Sequence, residues 1–167
     1  VYQIRPEHGE TLTWRFLVGK LSIILPIGAL QGIAASVAIV YVLDADVAST
    51  PALYGFAALT GMTFITLLFT LTMLFGRVGQ FSAFLLLLLQ IGGSGGTFPV
   101  EMTPSFFQTI HRFLPMTYSV TGFREALGIG VTDTLITNGQ ILGLILFSAL
   151  VISFAGALGG KRILLST

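Results

Sequence analysis

Cysteine is absent from these 167 residues, which excludes disulfide frameworks and thiolate metal centres. Histidine is nearly absent too, with His8 and His111 the two imidazoles available. Charge is scarce: Asp, Glu, Lys and Arg make up 9% of the chain, where soluble domains carry about 25%. The net charge is +1, with no cluster of Lys and Arg of the kind nucleic-acid binding needs. What fills the space is apolar. Hydrophobic residues supply 54% of the chain, and the mean hydropathy is +0.93. A surface this poor in charge would not stay in water, so the chain reads as all-α and resident in a lipid bilayer. No signal peptide is visible. The chain opens on Val1 in a polar stretch and reads as part of a longer protein.

Charge-free runs mark the membrane helices, since a span needs about 20 apolar residues. Residues 1–13 form a polar loop with Pro6 and Gly9. Trp14, Arg15 and Lys20 then mix an aromatic anchor with cations that snorkel to headgroups. Four spans are expected, over about 16–43, 51–75, 79–97 and 137–159. The first holds Pro26 and Gly28, which membrane helices tolerate. Its Gln31, Gly32 and Ser36 point to a face packed on protein. In the second, Thr60, Thr63, Thr66, Thr70 and Thr72 either line a path or bond their own preceding turn. Residues Gly76 to Gln80 read as a tight turn, and Gly143, Ser148, Ala149, Ser153 and Gly156 as a packing face of the fourth span. Alternating sides place Arg5, Arg15, Lys20, Arg77, Lys161 and Arg162 together, against Arg112 and Arg124. The first side is therefore cytoplasmic, with both ends of the chain inside.

Between the third and fourth spans lies the least ordinary stretch. Gly92, Gly93, Gly95 and Gly96 follow the leucine run Leu85–Leu89, and Pro99 and Pro104 turn the chain. Phe106, Ile110, Phe113 and Leu114 fall at helical spacing. With Thr103 as cap and Pro104 at the first helical position, a short helix is expected from Pro104 to Phe113, ended by Pro115. A second is expected from Tyr118 to Leu127. Together they form a helical hairpin over about 103–128, either lying at the outer interface or dipping into the membrane as a re-entrant element.

The glycines read as a helix break at the outer end of the third span. Ser94 lacks a nearby base for a nucleophile, and the glycine cluster lacks the Lys-Ser/Thr of a phosphate loop. One His beside one Arg (His111, Arg112) makes neither a metal site nor a catalytic dyad. Glu101, His111, Arg112, Arg124 and Glu125 read either as a buried network bracing an outer gate or as groups facing outer water; both stay open for Arg124 and Glu125, and the second is preferred for His111. No catalytic, cofactor-binding or metal-ligating set is found.

Three segments carry a resemblance: Gly93 to Glu101, Pro104 to Phe107, and Leu114 to Arg124, with a weaker match at Gly19–Leu21 and Leu30–Gly32. Their order resembles the C-terminal membrane domain of the YhgE/Pip (phage infection protein) family, within the type-2 ABC exporter permeases. The resemblance implies the last four spans of a six-helix permease, working as a homo- or heterodimer. ATP would be hydrolysed on a partner nucleotide-binding subunit, so this chain itself holds no cofactor and is not an enzyme. It also implies a bacterial plasma membrane location, and an external gate drawn from Gly92, Gly93, Gly95, Gly96, Pro99, Glu101, Pro104, Pro115, Tyr118, Arg124 and Glu125. The loop with Arg5, Glu7 and Glu10 is a candidate ATPase contact. The alternative is a non-transporting anchor for an ectodomain, serving as a secretion-system scaffold of the type VII kind or as a phage receptor.

Overall fold

The computed structural model describes residues 14–96, 99–128 and 131–163. The proposed ATPase-contact residues Arg5, Glu7 and Glu10 lie outside them. Among the described residues the chain is helical throughout, with no strand. Six α-helices follow one another: α1 Trp14–Tyr41, α2 Thr50–Phe75, α3 Arg77–Gly93, α4 Ser105–Ile110, α5 Pro115–Gly128 and α6 Asp133–Ile163. Short 3-10 turns occur at Val100–Met102 and His111–Phe113.

Three helices are long and apolar enough to cross a membrane: Arg15–Tyr41, Thr50–Phe75 and Asp133–Leu158. The expected third span is shorter. With 17 residues, α3 is about 26 Å long, against about 39 Å for the 26 residues of α2. It also starts earlier than expected. The tight turn of residues 76–80 contracts to Gly76 alone, at φ 58°, whose N–H donates to the Thr72 carbonyl at 2.8 Å. Only a residue without a Cβ takes that backbone at no steric cost.

Helix α2 is the central pillar, touching α1, α3, α5 and α6. Against α1 the approach is close. A Cβ on Gly28 would come within 2.8 Å of the Gly61 carbonyl oxygen, and one on Gly32 would overlap the Ala57 carbonyl. Ser36, one turn on, is buried and bonds back to the Gly32 carbonyl at 3.0 Å. Gln31 departs from expectation: it is exposed, because it sits about 100° around the helix from Gly32.

Against α6 the contact is polar. Thr63 Oγ1 reaches the Leu142 carbonyl at 3.4 Å, and Thr70 Oγ1 the Ala149 carbonyl at 3.2 Å. Thr70 also meets Ser153 Oγ at 2.8 Å. Both cross-helix pairs are 79 positions apart, so α2 and α6 run parallel. The chain must therefore travel back between them, and α3 is the helix that carries it.

Thr60, Thr63, Thr70 and Thr72 also bond the turn before them, as one of the two readings holds. The Thr66 hydroxyl is buried and meets no partner among the described residues. In α6, Ala149, Ser153 and Gly156 pack inward, whereas Ser148 is exposed and Gly143 faces open space.

Two apolar clusters cap this bundle. Leu17, Leu21, Phe69, Met73 and Ala157 close the end near Gly76. Leu53, Phe56, Ala126, Leu135 and Leu142 close the other, where α5 wedges against α2 and α6.

The close α1–α2 approach is testable. Gly61→Val places methyls on the Gly28 carbonyl and is expected to destabilise by about 1–3 kcal/mol, read as a lower unfolding temperature in detergent micelles. Gly55→Val, at a position with open space around its Cβ, is the control and should change little.

Candidate functional site

Helix α3 ends where its glycines begin. Ser94 N–H donates to the Gln90 carbonyl at 3.0 Å, and Gly95 then takes φ 69°, a left-handed conformation that halts the helix. A helix end leaves carbonyls without intrahelical partners. Here the hairpin supplies the donors. His111 Nδ1 lies 2.6 Å from the Gly93 carbonyl oxygen. Arg124 Nη2 donates to the carbonyls of Gly95 at 2.8 Å and Gly96 at 3.4 Å. A guanidinium at a helix C-terminus also opposes the negative end of its dipole.

The network assigns the histidine tautomer. A carbonyl only accepts, so Nδ1 carries the hydrogen. Thr117 Oγ1 donates to the His111 carbonyl at 2.7 Å and sits 3.2 Å from Nδ1, which makes it a second acceptor for the same N–H.

Glycine is required here for contact as well as for turning. On Gly93 a Cβ would come 3.3 Å from the Phe107 ring and closer still to Leu114; on Gly92 it would come 3.1 Å from Phe107. Farther along α5, Gly122 lets the Phe56 ring of α2 lie against its backbone, and Phe56 meets Phe123 edge-on at 5.2 Å.

The hairpin itself differs from expectation in its caps. Thr103 does not cap α4. Its hydroxyl donates instead to the Val100 carbonyl at 2.6 Å, its backbone is extended as the residue before a proline must be, and α4 begins at Ser105 after Pro104. The α-helix ends at Ile110 and tightens to a 3-10 turn. Pro115 opens α5, where its missing N–H costs nothing, so the second helix starts three residues before Tyr118. Tyr118 fastens the two arms, its hydroxyl donating to the Arg112 carbonyl at 2.5 Å. Gln108 Nε2 ties α4 to the preceding turn through the carbonyls of Glu101 at 3.1 Å and Thr103 at 2.8 Å.

Arg124 and Glu125 serve different neighbours. Adjacent helical residues point about 100° apart. Arg124 turns to the end of α3, whereas Glu125 accepts from Thr132 Oγ1 at 2.9 Å, and that oxygen caps α6 by accepting the Leu135 N–H at 3.1 Å.

A polar cavity of about 270 Å³ lies between α3 and the hairpin, lined by Ser94, Gly95, Pro99, Val100, Glu101, His111, Thr121 and Arg124. Of the expected gate residues, Gly95, Pro99, Glu101 and Arg124 line it, while Gly92 and Gly93 pack on Phe107 and Gly96 on Val120. Pro104, Pro115 and Tyr118 shape the hairpin, and Glu125 belongs to the start of α6. Thr117 and Thr121 carried no sequence signal, and His111 read as a residue facing outer water rather than as a partner of the α3 end. Sequence reasoning also passed over Gln90, which is 1% exposed with Oε1 lacking a donor among the described residues. A glutamine closing a leucine run was the available signal. No group of three or more His, Cys, Asp or Glu that could hold a metal occurs among the described residues.

The sequence model of the ABC-2 type transporter family matches residues 11–128, from the start of α1 through the hairpin. The chain belongs to this ABC-2 family. A relative named "Uncharacterized protein YhgE", from Bacillus subtilis (strain 168), is 36% identical over 126 residues. That alignment covers 75% of this chain and 16% of the relative, so the chain spans a small part of that protein's length. No solved structure matches. The chain is thus a multi-pass ABC-2 type membrane domain, and the resemblance seen in its glycine and hairpin segments holds.

The strut from His111 to Gly93 is open to test. His111→Ala strips the donor from a part-buried carbonyl and is expected to cost about 1–3 kcal/mol. His111→Asn, which retains an N–H near the Nδ1 position, should recover most of that in the same micelle unfolding assay. Equal loss in both variants would remove the strut role.

Proposed function

We propose that the chain forms the transmembrane pathway of an ABC-2 exporter, with the break after α3 and the hairpin as its external gate. The single observation that carries this reading is the clasp. Three carbonyls at the broken end of one helix are held by side chains of a hairpin 18 to 29 residues away. A helix that stops short and is held by a separate element can be released without unfolding either.

The pathway would be completed by a like permease, as homo- or heterodimer, and driven by a nucleotide-binding subunit that hydrolyses ATP outside this chain. The asymmetry of Lys and Arg supports a cytoplasmic position for both ends in a bacterial plasma membrane, with the hairpin outside. Helix lengths support a re-entrant hairpin. If α2 and α3 are tilted alike, Gly93 lies about 13 Å below the outer end of α2, and the His111 turn binds there. Ion-coupled transport is disfavoured, since the described charges of the long helices, Arg15, Lys20 and Asp133, sit within their first two turns.

A second reading is favoured by the 16% of YhgE that this chain covers. The helices would then anchor a larger remainder without transporting anything, as a scaffold for secretion or a phage receptor. Co-purification of an ATPase whose hydrolysis depends on this chain separates the two.

Gly95→Leu is expected to abolish export while leaving expression intact, because a branched side chain is strained at φ 69°. Gly95→Ala should retain more export than Leu. Full export by the Leu variant would remove the gate.

A further inference from the structure

The cavity beside the end of α3 has a chemistry unlike the cleft between α1 and α2. The cleft of about 410 Å³ between α1 and α2 is walled chiefly by Ile23, Ile24, Ile27, Ile65, Leu68 and Phe69. The hairpin cavity instead presents one formal cation, Arg124, and one formal anion, Glu101, beside the hydroxyls of Ser94 and Thr121 and the His111 ring. Arg124 spends Nη2 on the glycine carbonyls, and a guanidinium has five N–H donors, so others stay available. Glu101 is exposed, and it is its backbone carbonyl, not its carboxylate, that Gln108 holds.

A ligand with an anion alone would gain from Arg124 and lose to Glu101. One with a cation alone would meet the reverse. A group carrying both charges satisfies both walls. The cavity, about 270 Å³ and open to one side, has room for a small zwitterion such as phosphoethanolamine. We propose that this cavity binds a zwitterionic ammonium–phosphate group of the phosphoethanolamine class, the phosphate on Arg124 and the ammonium on Glu101.

Binding would also act on the clasp. A phosphate accepts a stronger hydrogen bond from a guanidinium than a neutral carbonyl does, so an occupant competes with Gly95 and Gly96 for Arg124. Occupancy then loosens the end of α3. This consequence rests on the gate reading; the binding itself does not.

The test is calorimetric titration of the full-length protein in maltoside micelles, with phosphoethanolamine as probe and glycerol phosphate as the anion-only control. Phosphoethanolamine is expected to bind at least about tenfold more tightly, the worth of one charge-assisted bond. Arg124→Gln should weaken both probes by about that factor. Glu101→Gln, which breaks no hydrogen bond of the fold, should abolish the preference. Equal binding of the two probes to the parent protein, binding of neither, or a preference that survives Glu101→Gln would each overturn the proposal.

Nanodiscs then distinguish the source of the group. Loss of probe binding in phosphatidylethanolamine discs but not in phosphatidylglycerol discs identifies a lipid headgroup. Binding kept in both identifies a free solute, and loss in both contradicts the selectivity. Binding is read without export, so its outcome and that of the Gly95→Leu export assay are independent.

Discussion

The arrangement depends on how the carbonyls at the end of α3 find donors. Under the re-entrant reading proposed above, the end of α3 lies in hydrocarbon, where each unpaired backbone group costs several kcal/mol. Water is the usual partner at a helix end in solution. Here His111 and Arg124 take that place, at 2.6 Å and 2.8 Å from the carbonyls of Gly93 and Gly95. The hairpin supplies partners to the end of α3 while its far arm packs on α2 and α6.

From this pairing the rest of the bundle follows. The clasp hangs on α3, which Gly76 and the close packing of Gly79 on the Leu71 carbonyl tie to α2. The far arm of the hairpin rests on Phe56 and Leu53 of α2 and on the start of α6. α2 is in turn fixed to α1 by backbone-level glycine contacts and to α6 by threonine hydroxyls. The hairpin thus bridges a rigid pillar and a short helix held at one end by a single-residue turn. Movement is most readily placed at that short helix.

Much of this was legible in the residues. Uncharged runs locate α1, α2 and α6 because a bilayer penalises charge directly. The glycine cluster and the prolines locate the break and the hairpin. The partners that hold the end of α3 were harder, since they lie 18 to 29 residues away on the hairpin. Local motifs misplaced the caps for a similar reason. Thr103 fits a capping pattern, yet the proline after it forces an extended backbone and its hydroxyl finds Val100. Gln31 looked like a packing residue beside Gly32, though one position on a helix is a different face. The role of His111 depended wholly on Gly93 meeting it in space.

The central claim is that the hairpin must part from the end of α3 for export to proceed. The pair Gly96 and Val120 tests it most directly, because a Cβ on Gly96 would lie 3.4 Å from Val120 Cγ2 and this chain has no cysteine of its own to interfere. In a full-length protein carrying Gly96→Cys and Val120→Cys, export would be measured after oxidation and again after reduction. The account predicts that oxidation stops export and reduction restores it, with each single variant unaffected by oxidant. Export at an undiminished rate through the cross-linked protein would contradict it.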